Sequence, residues 1–154
     1  GDTVFASMIA AYYGLPPILQ RFYSSLEAVH DFKVFRAFYS DSYEGRKKLV
    51  EMEESFPNTT HPVVRIHPVS GKKLVFVSPQ TTTRIAGLRD FESAHILDML
   101  YRLPEIPEYQ FRVQWEPHML VIWDNRSAQH ARADYPPEEP RLMRRVGIEG
   151  DIPH

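Results

Sequence analysis

Between Trp123 and Arg145 the sequence places a histidine, His130, upstream of two arginines, Arg141 and Arg145. Those residue types in that order could do specific chemistry. An imidazole is a good ligand for iron, and a guanidinium grips a carboxylate through two parallel hydrogen bonds. A fixed arginine charge also suits an anionic cosubstrate better than a lysine would. A metal site and an anion pocket could therefore lie side by side, the histidine just after a buried strand and the arginines on the next. Spacing alone leaves bland readings open. His130 could be a satisfied core or surface histidine, and Arg141 and Arg145 could be solvated strand residues.

The elements that must position these residues are legible in part. Residues 4–13 read as a short helix capped by Asp2 or Thr3 and ended by Gly14. Pro16 and Pro17 open a second helix running to about His30, with Ile18, Leu19, Phe22, Leu26 and Val29 at helical spacing. Residues 32–38 read as a strand or extended loop, and 44–54 as a charged, solvated helix. Residues 63–67 and 73–77 flank a turn with Gly71 and predict a hairpin. A further helix is expected over 90–103, and strands over 109–115, 119–123 and 142–148, with a turn at Asp124–Asn125. This mixture predicts an α+β chain on an antiparallel sheet system.

Composition narrows the function classes. The 154 residues are 43% hydrophobic and 25% charged, an ordinary globular balance large enough for one core. A formal charge of −2 and one short basic cluster give no footprint for nucleic acid. The absence of cysteine excludes disulfides and thiolate chemistry. No apolar run approaches a membrane span, so the expected location is cytoplasmic and no membrane partner is expected.

Several motifs, in order, carry a resemblance. Gly1-Asp2-Thr3 is followed by Phe5, Ser7 and Ala10-Ala11-Tyr12; then come His30-Asp31-Phe32, the run from His61 to Lys72, and Thr82-Thr83-Arg84-Ile85. Trp123-Asp124-Asn125-Arg126, His130, Ala133-Asp134-Tyr135, Arg141 and Arg145 complete the series. With them the chain resembles the TauD/TfdA family of iron(II)- and 2-oxoglutarate-dependent dioxygenases over essentially its whole length. It is similar to the C-terminal part of that domain, so residues 1–154 are expected to form a single domain. The resemblance implies a double-stranded β-helix, or jelly roll, with helical insertions and incomplete on its N-terminal side.

The resemblance also implies roles. His130 falls on a catalytic, metal-binding histidine, with Fe(II) as the metal and 2-oxoglutarate as cosubstrate. Thr3 and Arg141 fall on residues that bind 2-oxoglutarate, and Arg145 on one that holds an anionic substrate group. Phe35, Val34 and Thr81 fall on the substrate pocket, and Trp123 supports it. Val34 and Thr81 depart from the residue types of taurine-acting members. The family's other two metal ligands come from a His-x-Asp motif. None of the seven histidines here is followed two residues later by an acid, so this chain lacks it.

The expected function is hydroxylation of a small anion with O2, most readily an alkylsulfonate such as taurine, giving succinate, CO2, an aldehyde and sulfite. Aryloxyalkanoates and alkyl sulfate esters are alternative substrates. A non-catalytic jelly-roll domain without metal is the alternative of a different class. These residues alone are expected to be inactive, and homo-oligomerisation is left open.

Overall fold

The computed structural model describes residues 1–31, 42–136, 138, 141–148 and 150. The expected strand or loop at 32–38 falls outside them. Among the described residues, eight short strands form three separate antiparallel sheets. In the first, β1 (Thr3–Ser7) lies between β7 (Gln110–Val113) and β8 (Ala128–Arg132). In the second, β2 (Glu27–His30) lies between β3 (Thr59–Pro62) and β6 (Thr82–Ile85). The third is the hairpin of β4 (Val64–Ile66) and β5 (Lys73–Val75), with Gly71 at φ 68° in its turn.

Four α-helices among the described residues accompany the sheets. In α1 (Met8–Tyr13), the Ser7 hydroxyl accepts from the Ala10 N–H at 3.2 Å, satisfying one of the free donors of the first turn. Pro17 begins α2 (Pro17–Tyr23), where its missing N–H costs nothing. The solvated helix α3 (Tyr43–Ser55) buries no residue, and its first turn is capped by Ser42. In α4 (Asp90–Tyr101), Leu97 and Leu100 turn inward. They join Met8, Tyr12, Tyr23, Val63, Leu74 and Ile85 in one hydrophobic core between the helices and the sheets.

Several expectations are corrected. Among the described residues the double-stranded β-helix is not formed: the three sheets stay small, and none closes into a barrel or jelly roll. The architecture is mixed α+β. A physical reason lies in two apolar segments expected to be strands, 119–123 and 142–148, which pair with nothing among the described residues. Most of their side chains stand in solvent, with Ile122 84% and Ile148 96% exposed.

The helix expected over 4–13 is a strand followed by a helix. Thr3 and Phe5 are buried on alternate positions, and pairing on both sides outweighs the helical propensity of Ala6. The helix expected to reach His30 ends at Tyr23, because Ala28 to His30 pair with β3 and β6. The hairpin, α3, α4 and β7 lie where the sequence predicts them. No helix among the described residues is long and apolar enough to cross a membrane.

Candidate functional site

The central strand β1 sets the geometry. Its register places Phe5 opposite His130 and Thr3 opposite Arg132 on β8. Directly paired residues, and residues two apart on a strand, share a face. Thr3, Phe5, His130 and Arg132 therefore project from one face, while Asp2 and Val4 project from the other. The Asp2 carboxylate is engaged there by Arg112 at 3.3 Å.

On the first face the imidazole of His130 sits in an aromatic corner. Its centroid is 5.7 Å from Phe5 and 5.3 Å from Trp123, and those two rings are 5.2 Å apart. The ring neighbours of His130 are thus carbon surfaces, and no group of metal-ligating side chains gathers beside it among the described residues. Thr3 is buried, and its hydroxyl accepts from the Trp115 indole N–H at 2.8 Å. The hydroxyl proton of Thr3 has no acceptor among the described residues and remains a donor.

Beyond β8 the chain turns Tyr135 back over Gly1. A Cβ at Gly1 would come within 2.9 Å of the Tyr135 ring, so only glycine permits this approach. Two guanidiniums rest over that ring, Arg132 at 5.1 Å and Arg141 at 5.6 Å from its centroid. Arg141 is half-buried, whereas Arg145 is exposed and in no ion pair or ring contact among the described residues. The expectation that Arg141 and Arg145 line one pocket rested on a strand over 142–148, and that strand is not formed.

Thr81 lies elsewhere, before β6. Its hydroxyl is 3.2 Å from His30 Nδ1, and both line a cavity of about 480 Å³ bounded also by Met52, Phe56 and Pro57. His130, Thr3 and Arg141 are not in that lining. Phe35 and Val34 lie outside the described residues. His30 is held neutral: burial first, then the charge of His61, lower its pKa to about 4. Its Nε2 and the Nε of the buried Arg65 have no hydrogen-bond partner among the described residues.

Sequence reasoning assigned His67 to hairpin structure and missed its longer reach. His67 Nδ1 accepts from the Ser70 N–H at 3.1 Å, so Nε2 carries the proton and donates to Asp124 Oδ2 at 3.0 Å. Arg126 grips the same carboxylate, with Nη2 at 2.8 Å and Nε at 3.0 Å. Arg126 above all, through its side-chain hydrogen bonds, holds the Asp124 carboxyl well below the usual carboxylate range, with His67 adding to the effect. This clamp fixes the turn between Trp123 and β8, and the Ser127 carbonyl accepts from Met8 N–H at 2.9 Å. The only local sign was the Asp-Asn-Arg order; the partner His67 is far away in the chain.

Asp124→Asn should loosen the turn and cost about 1 kcal/mol, since the carboxylate is partly solvated. The sign of the pH effect follows from a carboxylate depressed in the folded state. The contribution is full above the ordinary carboxylate pKa of about 4 and is lost as pH falls below it. Urea unfolding of wild type and Asp124→Asn at pH 7 and pH 3 checks both statements; the gap between them should shrink at pH 3.

The expected Fe(II) and 2-oxoglutarate site is corrected by the donor set. Among the described residues no group of three His, Cys, Asp or Glu side chains could hold a metal ion. One imidazole against two aromatic rings does not fit iron(II), which needs several fixed ligands.

Comparison with known proteins gives the chain its relatives. Residues 1–146 match the family described as taurine catabolism dioxygenase TauD, TfdA family. The chain is 38% identical over 85% of its length to an alpha-ketoglutarate-dependent sulfonate dioxygenase of Saccharomyces cerevisiae, of which it covers 31%. It is 34% identical over 99% of its length to an alpha-ketoglutarate-dependent sulfate ester dioxygenase of Pseudomonas putida, of which it covers 52%. The chain thus spans about half or less of the length of these relatives. Among solved structures it is similar to AAD-2 in complex with Mn(II) and N-oxalylglycine, at 29% identity and a TM-score of 0.77, over 94% of this chain and 55% of that one.

Proposed function

Because this chain belongs to the TauD/TfdA family, we propose that these 154 residues by themselves hold no metal and do not catalyse, and that they keep an anion-binding face. The observation that carries the reading is the lack of any metal-holding group among the described residues. It replaces the expectation of an iron-dependent dioxygenase hydroxylating an alkylsulfonate.

The proposed ligand is the oxyanion of a small alkyl sulfate ester or carboxylate. Its oxygens would accept from the Arg141 fork and from the free O–H of Thr3. Support comes from Tyr135, which packs on Gly1 beside Thr3 and carries the Arg141 guanidinium over its ring. His130, Phe5 and Trp123 would offer an aromatic wall to the alkyl part. Sulfate esters are preferred over other anions because a relative aligned over 99% of this chain is a sulfate ester dioxygenase.

Incubating the protein anaerobically with Fe(II), 2-oxoglutarate and hexyl sulfate, then admitting O2, tests the reading. Succinate should not rise above the protein-free background, while hexyl sulfate should still bind in a protein titration. Succinate production that depends on His130 would contradict it.

A further inference from the structure

We propose that a cavity of about 340 Å³ between α1, α2 and β5 binds a small phosphate monoester that carries hydroxyl groups, such as a glycerol phosphate. Thr3, His130 and Arg141 are all absent from its lining, so it stands or falls independently of the anion-binding face.

The charges of this cavity are of one sign. Arg21, in the last turn of α2, and Lys73, at the start of β5, both line it, and no acid does. Neither cation is in an ion pair among the described residues. The Lys73 ammonium lies 5.9 Å from the centroid of the Tyr12 ring, which lines the same cavity. Tyr12 is only 5% exposed, yet its hydroxyl is in no hydrogen bond among the described residues. Unlike His30 Nε2 and Arg65 Nε, that hydroxyl is not sealed from solvent, so it opens on the cavity. Buried phenols usually find a hydrogen-bond partner, and here a ligand supplies it.

The rest of the lining offers acceptors. The Ser24 hydroxyl donates to the Gln20 carbonyl at 2.6 Å, and the Ser25 hydroxyl to the Phe22 carbonyl at 2.7 Å. Gln20 Nε2 donates to the Leu15 carbonyl at 2.9 Å. The hydroxyl protons are thus spent, and the two Oγ atoms and Gln20 Oε1 are left to accept. The serine bonds also cover two of the last carbonyls of α2, whose partial negative charge would otherwise oppose an anion.

A hydroxylated phosphate monoester answers both sides. Its phosphate oxygens accept from Lys73, Arg21 and the Tyr12 O–H, and two cations favour a dianionic head. Its hydroxyl groups donate to Ser24, Ser25 and Gln20. A bare phosphate uses only the cationic half of the site.

Calorimetric titration of the full chain with glycerol 3-phosphate, inorganic phosphate and glycerol, at low ionic strength, tests the assignment. Glycerol 3-phosphate should bind more tightly than phosphate, and glycerol alone should give no isotherm. Lys73→Ala and Arg21→Ala, both at exposed positions, should each weaken glycerol 3-phosphate about three- to tenfold. Tyr12→Phe, which keeps the buried ring, should weaken it about two- to tenfold. Arg141→Gln should leave it unchanged. Absence of saturable binding, or binding that survives the folded Lys73→Ala and Arg21→Ala variants, overturns the site. Loss of binding in Arg141→Gln overturns it too, by moving the phosphate to the other face. Equal affinities for glycerol 3-phosphate and phosphate overturn the ligand class.

Discussion

Leu100→Ala is expected to destabilise the protein by about 2–5 kcal/mol, the range for removing a fully buried leucine and leaving part of the cavity behind. Leu100 is 0% exposed on α4, within the core that also holds Ile85 and Leu103. Helix α4 is further bound to β6 by polar contacts, with Ser93 Oγ accepting from the buried Ile85 N–H at 2.8 Å and Tyr101 donating to the Thr82 carbonyl at 2.6 Å. These contacts limit how far the helix can settle into the vacated space, which places the cost in the upper part of the range. Urea unfolding followed by far-UV circular dichroism measures it. A loss below about 1 kcal/mol would show that α4 is not fixed to the sheet as described.

The second large effect is acid destabilisation centred on His30. Its pKa is lowered to about 4 by burial and by His61, against an ordinary 6.5. The unfolded chain therefore takes up the proton first as pH falls. The neutral imidazole contributes stability that is full above pH 6.5 and is lost between 6.5 and about 4. The shift sets an upper bound of about 3 kcal/mol, which solvent at this half-buried ring reduces to about 1–2 kcal/mol. The ring stacks on Phe76 at 5.4 Å, its Nε2 has no partner among the described residues, and Arg65 also lies over Phe76. Stability measured at pH 7 and pH 4.5 should fall more in wild type than in His30→Phe. Equal losses in the two proteins would remove His30 as the cause.

Much of the helical structure was legible because its signals are local. The stripe of Ile96, Leu97, Leu100 and Leu103 gives the period of α4, and Gly71 marks the hairpin turn by its positive φ. Strands whose pairing is distant were not. Residues 128–132, Ala-Gln-His-Ala-Arg, carry little β preference and become β8 only because β1 offers them a ladder. The opposite error arose at 119–123 and 142–148, where strand-like apolar sequence has no ladder to join among the described residues.

The candidate site divides in the same way. The residue types His130, Arg141 and Thr3 were readable from the order of motifs, but the company they keep was not. The sequence paired Arg141 with Arg145, whereas Tyr135 gathers Arg141 with Arg132. Likewise the clamp of His67 on Asp124 and Arg126 joins segments that no local pattern connects. In both cases a folded-back loop, rather than a periodic element, makes the neighbours.

Anaerobic calorimetric titration of Fe(II) into the full chain and into His130→Ala tests the central claim most directly. Wild type and variant should give the same featureless heats, because one imidazole among aromatic rings cannot hold the ion. A saturable one-to-one isotherm in wild type, abolished by His130→Ala, would contradict the account.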